Sequence, residues 1–384
     1  MTVDVVELLL ETLRLPEDAD TTELRRRWSA ATLSGVTGLV EYEGCVLLLY
    51  QRLKELRVLD AVPAPFAQWL SRRAHRLAAH NLVVDAQRDE LVQLLNELRV
   101  PHVLLKGAAR RLLAAGSARL AARTTTDVDV LVPEDAARPT WVRLQTAGFL
   151  PAPAPESTYD RHFHLPPLRR TRAVAVELHT STSYSLPAEV AWQRIGGSAR
   201  SVLCNGGPTQ VPAATELLWH AITHVPLPSP DAFRFRYFQD IALVDDVAAD
   251  VDWNEIAARF ASPELPHKRH ARRWLGTALR LTGLRDMADR LGALPPIDLS
   301  RALKWRLAIF RRLEPPTHDV GRHVWGPQPV SRLRRLLIEE ATCSELRLPH
   351  TTPAGTTGTQ RAARRVAAAA ARLCYHSWRA VRYA

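Results

Sequence analysis

Two aspartates separated by one residue stand in a run of valines in ARTTTDVDVLV, residues 122 to 132. Side chains alternate between the faces of a strand, so Asp127 and Asp129 are predicted to share one face and Val128, Val130 and Val132 the other. The two carboxylates then lie about 7 Å apart and repel each other unless a cation lies between them. Mg²⁺ prefers a few carboxylates together with water and phosphate oxygens. The pair therefore favours a divalent-metal site, although such a pair alone is more often a solvated strand end.

A second carboxylate-bearing strand is predicted from AVAVELH, residues 173 to 179. The same alternation places Val174, Val176 and Leu178 on an apolar face and Glu177 with His179 on the opposite one. Glu177 is thus a third candidate metal ligand.

The segment LLKGAARR carries the features of a phosphate-binding turn. It places Lys106 and Gly107 between a short apolar run and a helical pattern, where exposed backbone N–H groups and the helix dipole favour phosphate. Lys106, Gly107, Ala108 and Arg123 are therefore expected to contact a phosphorylated cosubstrate.

These segments together resemble the DNA polymerase β-type nucleotidyltransferase superfamily, specifically its bacterial "nucleotidyltransferase family protein" branch. In that branch K-G is followed by R-x-x-S-D-x-D-x-L-V, matched here by Lys106, Gly107, Arg123, Asp127 and Asp129. The helix ending AGF, the later VELH, and the stretches LLWHAITH and FQDIALVDD also resemble it. The resemblance spans roughly residues 75 to 262.

The resemblance implies an enzyme that moves an NMP, AMP being one candidate, from an NTP such as ATP to a hydroxyl or phosphate of a small molecule, peptide or protein. In a two-metal mechanism, Asp127 and Asp129 would hold Mg²⁺, or Mn²⁺ in its place, on the triphosphate. With Glu177 they would hold the ion that activates the acceptor for attack, and pyrophosphate would leave. Lys106 and Arg123 would balance the developing negative charge.

The sequence departs from the superfamily pattern at the glycine motif. The usual Gly-Ser or Gly-Gly stands about a dozen residues before the first aspartate, whereas Gly107 lies twenty before Asp127 and precedes an alanine. Gly116 and Ser117 are nearer in spacing but follow a helix, so Gly107 is favoured. Thr126 replaces the more usual serine and keeps its hydroxyl.

Several histidines are candidate substrate-facing residues. Glu216, His220 and His224 lie on one predicted helical face, but no third zinc ligand is evident beside the two histidines, so a structural or substrate-facing role is favoured over metal. His162 and His164 share a predicted strand face and either line the cleft of Glu177 or are ordinary strand residues; His179 is a further candidate. Asp240 is expected to cap a helix or pair with a histidine.

The order of patterns predicts an α+β protein with a small mixed sheet embedded between helical regions. Strands are expected at 102–105, 122–132, 161–165 and 173–179. The predicted domains are a helical region at 1–100, the nucleotidyltransferase core at 101–212, a helical domain at 213–330 and a basic Arg/Ala-rich tail at 331–384.

Composition limits the remaining alternatives. The chain has 384 residues and a net charge of +11, carried mostly by arginine, which a GC-rich genome explains better than nucleic-acid binding. The four cysteines show no metal pattern and are expected to be free thiols. No secretory signal or long apolar span is evident, so the cytoplasm is the expected compartment. A P-loop enzyme is excluded by the absence of its motif, and polymerisation is disfavoured. The other hypothesis is a decayed, non-catalytic protein that binds nucleotide or nucleic acid.

Overall fold

The computed structural model describes residues 3–113, 122–152, 159, 162–170, 173–227, 230–247, 250–261, 265, 267–281 and 299–313. The predicted basic tail, Gly116 and Ser117 lie outside these residues. The predicted α+β class is confirmed, because a small mixed sheet is flanked by helices. None of the helices in the described part of the chain is long and apolar enough to cross a membrane.

Helices precede and follow the sheet. Before it come α1 (Val5–Arg14), α2 (Thr22–Ser29), α3 (Val36–Glu43), α4 (Val46–Glu55) and α5 (Ala64–Glu97). Between the strands lie α6 (Lys106–Leu113), α7 (Glu134–Thr146) and α8 (Ala188–Ala191), which continues as a π-helix over Trp192–Gly196. After the sheet come α9 (Ala214–Thr223), α10 (Phe235–Val247), α11 (Trp253–Arg259), α12 (Lys268–Leu281) and α13 (Leu299–Leu313). Short 3₁₀ turns occupy Leu59–Ala61 and Pro230–Phe233.

The main sheet has five strands in the order β1-β2-β5-β4-β3. They are β1 (Val103–Leu104), β2 (Asp127–Leu131), β3 (Leu150–Pro151), β4 (Leu168–Arg169) and β5 (Ala175–His179). The central pair, β2 and β5, is parallel, and the other pairings are antiparallel. A separate antiparallel hairpin consists of β6 (Arg200–Cys204) and β7 (Gly207–Val211).

The long helix α5 contributes to two hydrophobic cores. Near its start, Phe66 and Leu70 pack with the N-terminal helices, a cluster that Leu303 and Leu307 of α13 complete. Near its end, α5 packs on the apolar face of the sheet, and this second core contains Val84, Leu91, Val92, Leu95, Val128, Val130, Val132, Val174, Val176 and Leu178. The valine face predicted for β2 and the apolar face predicted for β5 are both confirmed.

One strand prediction differs from the structure, and other observed strands were not predicted. Within 162–165, only His164 forms a β-bridge, to His179, because Pro166 and Pro167 follow and lack the N–H groups that would extend the ladder. The hairpin β6–β7 was not predicted, since its strands lack a regular apolar alternation. Strand predictions at 102–105, 122–132 and 173–179 are confirmed with shorter bounds.

Candidate active site

The parallel pairing of β2 and β5 brings the predicted carboxylates together. Asp129 lies directly opposite Glu177 in the register, and Leu131 lies opposite His179. The valines on the other face anchor both strands in the core, which fixes the polar face relative to the rest of the sheet. The ligand atoms of Asp129, Glu177 and His179 all lie within 4.8 Å of one another.

Asp129 is fully buried, and two side chains donate hydrogen bonds to the same oxygen of its carboxylate. Its Oδ1 accepts hydrogen bonds from Lys106 Nζ at 2.9 Å and from His179 Nε2 at 2.8 Å. Burial by itself would raise the pKa of Asp129, but these two cationic partners lower it well below its ordinary value. Its other oxygen, Oδ2, is buried and has no hydrogen-bond partner among the described residues. A buried carboxylate oxygen without a partner is costly, and a divalent cation would satisfy it.

His179 is positioned to stay protonated. Its Nδ1 lies 3.2 Å from the carbonyl oxygen of Ser181, while Nε2 faces Asp129 and lies 3.5 Å from Glu177 Oε2. Both ring nitrogens therefore face acceptors, which is the arrangement of an imidazolium. Burial and Lys106 lower the pKa of His179, but the bonds to the two carboxylates more than offset them and raise it. His179 thus orients Asp129 by donating to it.

Asp127 lines the cavity beside this cluster. Burial and the negative charges of Asp129 and Glu177 raise its pKa to about 6, while Lys106 and Arg123 oppose the shift. The ionised form of this carboxylate is disfavoured, and a bound cation would stabilise it.

The turn at Lys106 and Gly107 differs in detail from a simple phosphate loop. Lys106 is already the first residue of α6 and has φ +44°, which points its side chain at Asp129. Gly107 is buried, and a Cβ there would lie 2.4 Å from Thr125 Cγ2, so glycine is required by the close approach of the segment before β2. Ala108 packs in the hydrophobic core, so only its main chain is available for the predicted contact with a cosubstrate.

The segment before β2 is fixed by α5. His80 Nε2 donates to the carbonyl oxygen of Thr125 at 2.9 Å, and Asn81 donates to that of Arg123 at 3.1 Å. Asn81 Oδ1 also accepts from the N–H of Thr125 at 3.3 Å. Sequence reasoning missed these supports because α5 carries them more than 40 residues earlier in the chain.

Asp240 pairs with arginines, so the predicted cap or histidine pairing is wrong. It is buried and forms ion pairs with Arg123 and, at 2.5 Å, with Arg110 of α6. Two nearby guanidinium groups stabilise a buried carboxylate more than a neutral histidine would. Arg110 and Arg236, which also lines the cavity, were not predicted.

The four remaining candidate histidines lie at different depths. His164 lines the cavity; its Nδ1 donates to the Leu165 carbonyl oxygen, and its Nε2 lies 4.0 Å from Glu177 Oε2. His162 packs against His164 with 4.4 Å between ring centroids and bonds Tyr184, so it supports the wall of the cavity.

His224 follows the last residue of α9 and lines the cavity, whereas His220 within α9 is buried. Glu216, also on α9, pairs with Arg194 and Arg259. Glu216, His220 and His224 form no metal-binding group among the described side chains. Burial lowers the pKa of both histidines, as does the positive charge of Lys106.

The cavity has a volume of about 250 Å³, and its lining carries both signs of charge. Asp127 and Glu177 line it, and so do Arg110, Arg123 and Arg236. The two sets interact, since Arg123 lowers the pKa of Asp127. The same cavity therefore offers carboxylates suited to a divalent cation and guanidinium groups suited to phosphate.

A mixed sheet with carboxylates on two parallel strands, in a cavity that arginines also line, defines a pocket suited to metal-assisted chemistry on phosphates. A family model described as "Uncharacterised nucleotidyltransferase" matches residues 30–278, more than half of the chain. The chain belongs to this nucleotidyltransferase family.

Two further comparisons add little. Among solved structures, the crystal structure of an antigenic nucleotidyltransferase-like protein from Paracoccidioides brasiliensis is similar at 17% identity, covering 58% of this chain and 95% of that one, with a TM-score of 0.30. A likeness this distant carries no argument. No curated protein matches the chain.

Proposed function

We propose that this protein is a metal-dependent nucleotidyltransferase that moves an NMP from an NTP to an acceptor and releases pyrophosphate. The observation that carries the proposal is the buried Asp129, opposite Glu177 in the register, with one oxygen anchored by two cations and the other without a partner. Membership of the nucleotidyltransferase family supports the same chemistry.

The residues present fit a bound Mg²⁺ or Mn²⁺. Asp129 Oδ2, the carboxylate of Glu177 and that of Asp127 supply hard oxygen ligands of the kind these ions prefer. When bound, the metal would neutralise charge on the phosphates and lower the pKa of an acceptor hydroxyl. His179 and Lys106 leave Asp129 ionised and fixed in direction, because both donate to its other oxygen.

The positive charges of the site would act on the nucleotide. Lys106 contacts Asp129, and Arg123 lies close enough to Asp127 to lower its pKa, so both would be available to balance the negative charge that grows as the bond to pyrophosphate breaks. Because their positions are fixed by ion pairs and helix packing, they need little reorganisation during the reaction. ATP is the first NTP to test.

The test follows the label of the transferred group. The protein is incubated with Mg²⁺, each NTP labelled at the α or γ phosphate, and cell extract or defined acceptors. We expect the α label in a product together with pyrophosphate release. Asp127→Ala and Asp129→Ala should each lower transfer about 100-fold or more.

The matched control is Asp135→Ala, which removes an exposed carboxylate from the first turn of α7 and should transfer normally. Circular dichroism confirms that each variant is folded. Transfer of the γ label would refute the proposal, and so would normal transfer by the folded double variant of Asp127 and Asp129. Nucleotide binding without any transfer would favour a non-catalytic member of the family.

A further inference from the structure

The arginines that line the cavity carry more positive charge than their carboxylate partner neutralises. Arg110, Arg123 and Arg236 all line it, and Asp240 forms ion pairs with the first two. No carboxylate forms an ion pair with Arg236 within the part of the chain that the structure describes. Lys106 pairs with Asp129 and not with Asp240. The three arginines thus carry two positive charges more than Asp240 balances.

The aliphatic part of the Arg236 side chain is positioned by packing. Its Cβ packs against Gly44, the residue that ends α3, so closely that a Cβ on Gly44 would lie 3.0 Å from it. Burial lowers the pKa of Arg236, and the positive charges of Arg123 and Arg234 add to this, whereas Tyr237 and Asp240 partly oppose it. A guanidinium that lines a cavity, with no carboxylate in ion-pair contact among the described residues, is suited to an anionic ligand.

The chemistry of that ligand follows from the shape and position of the group. A guanidinium presents N–H donors in a planar fork that matches two oxygens of a phosphate. The carboxylates that line the same cavity would repel a bare anion, but they would attract one that carries a divalent cation. A polyphosphate with its metal suits both sets of charges at once.

We propose that Arg236, with Arg110 and Arg123, binds phosphate oxyanions of a substrate in the cavity that the carboxylates also line. The inference rests on the proposed function only for the identity of the molecule that carries the phosphate. The carrier is either the triphosphate tail of the nucleotide or a phosphate group of the acceptor.

The probe is inorganic tripolyphosphate with Mg²⁺ in excess, titrated into the full chain by isothermal calorimetry. Arg236→Met keeps the length of the stem and removes the charge, and should weaken binding about 10-fold or more. Arg236→Lys keeps the charge but loses the fork, and should bind with intermediate affinity. Arg143→Met, which removes an exposed arginine of α7, is the charge-matched control and should bind as the wild type does.

A second titration distinguishes the two carriers. The wild type is first saturated with an ATP analogue that cannot be cleaved between the α and β phosphates, with Mg²⁺ in excess of both ligands. Exclusion of tripolyphosphate by the analogue assigns Arg236 to the triphosphate tail, and simultaneous binding assigns it to the acceptor. Both results support a phosphate site.

Equal affinity of Arg236→Met and the wild type would overturn the inference, and so would absence of tripolyphosphate binding to the wild type. The proposed function can fail while this inference holds. In that case tripolyphosphate binding would still depend on Arg236, but the protein would transfer no α label.

Discussion

Replacing Asp127 by asparagine is expected to stabilise the metal-free protein while it removes activity. The folded protein raises the pKa of Asp127 from its ordinary value of 3.8 to about 6, because of burial and then of repulsion by Asp129 and Glu177. Keeping this group ionised at neutral pH therefore costs folding free energy. Asparagine has nearly the same shape and carries no charge.

The size and pH dependence of the gain follow from the two pKa values. The shift of about two units corresponds to at most about 3 kcal/mol, at 1.36 kcal/mol per unit. Solvent reaches part of the Asp127 side chain, so we expect about 1 to 2 kcal/mol. The folded state retains the proton that the unfolded chain loses, so wild-type stability falls as pH rises from about 4 to about 6. The gain from Asp127→Asn is full above about pH 6 and vanishes near pH 4.

Urea unfolding followed by tryptophan fluorescence at about pH 4.5 and about pH 8, without metal, measures the effect. Saturating Mg²⁺ should stabilise the wild type more than Asp127→Asn, because the ion relieves the repulsion only where the charge is present. Asp135→Asn, an exposed change, should alter neither midpoint. Equal stability of wild type and Asp127→Asn at pH 8, or a gain that is the same at both pH values, would refute the reasoning.

Three further changes test the supports of the site. Gly107→Ala forces a Cβ against Thr125 and should destabilise the protein by about 1 to 3 kcal/mol in urea unfolding; adding Thr125→Ala should recover part of the loss. Asp240→Asn leaves two buried arginines without their shared anion and should cost about 3 to 5 kcal/mol, measured in the same way. Lys106→Met removes one of the two cations that face Asp129 and should lower the free energy of unfolding. The loss should be larger at pH 8 than at low pH, because the Asp129 carboxylate becomes protonated at low pH. If the urea midpoint of any of these variants is unchanged, the contact altered in that variant does not contribute to the stability of the protein.

The local part of the fold was predictable because strand alternation depends only on neighbouring residues. The pattern in β2 and β5 correctly separated the valines from Asp127, Asp129 and Glu177. It could not show that β2 and β5 are adjacent and parallel, since about 45 residues separate them and their pairing depends on packing. The register that sets Asp129 opposite Glu177 required the structure.

Arg110, and the pairing of Arg123 with Asp240, were missed because these ion pairs join distant segments. Arg123 and Asp240 are 117 residues apart in the chain, so no local pattern connects them. One signal was present: Arg110 follows Lys106 by four positions, and Asp240 follows Arg236 by four. This spacing places each pair on one face of a helix, and it could have extended the predicted site to both arginines.

The contact of Gly107 with Thr125 also bears on how this family can diverge. The two positions meet in van der Waals contact, and a Cβ at position 107 needs the side chain at 125 to shrink or move. Among related chains, any residue larger than glycine at position 107 should therefore occur together with a smaller residue at 125. In an alignment, the two positions would then change together, which would reveal a packing contact that no catalytic motif contains.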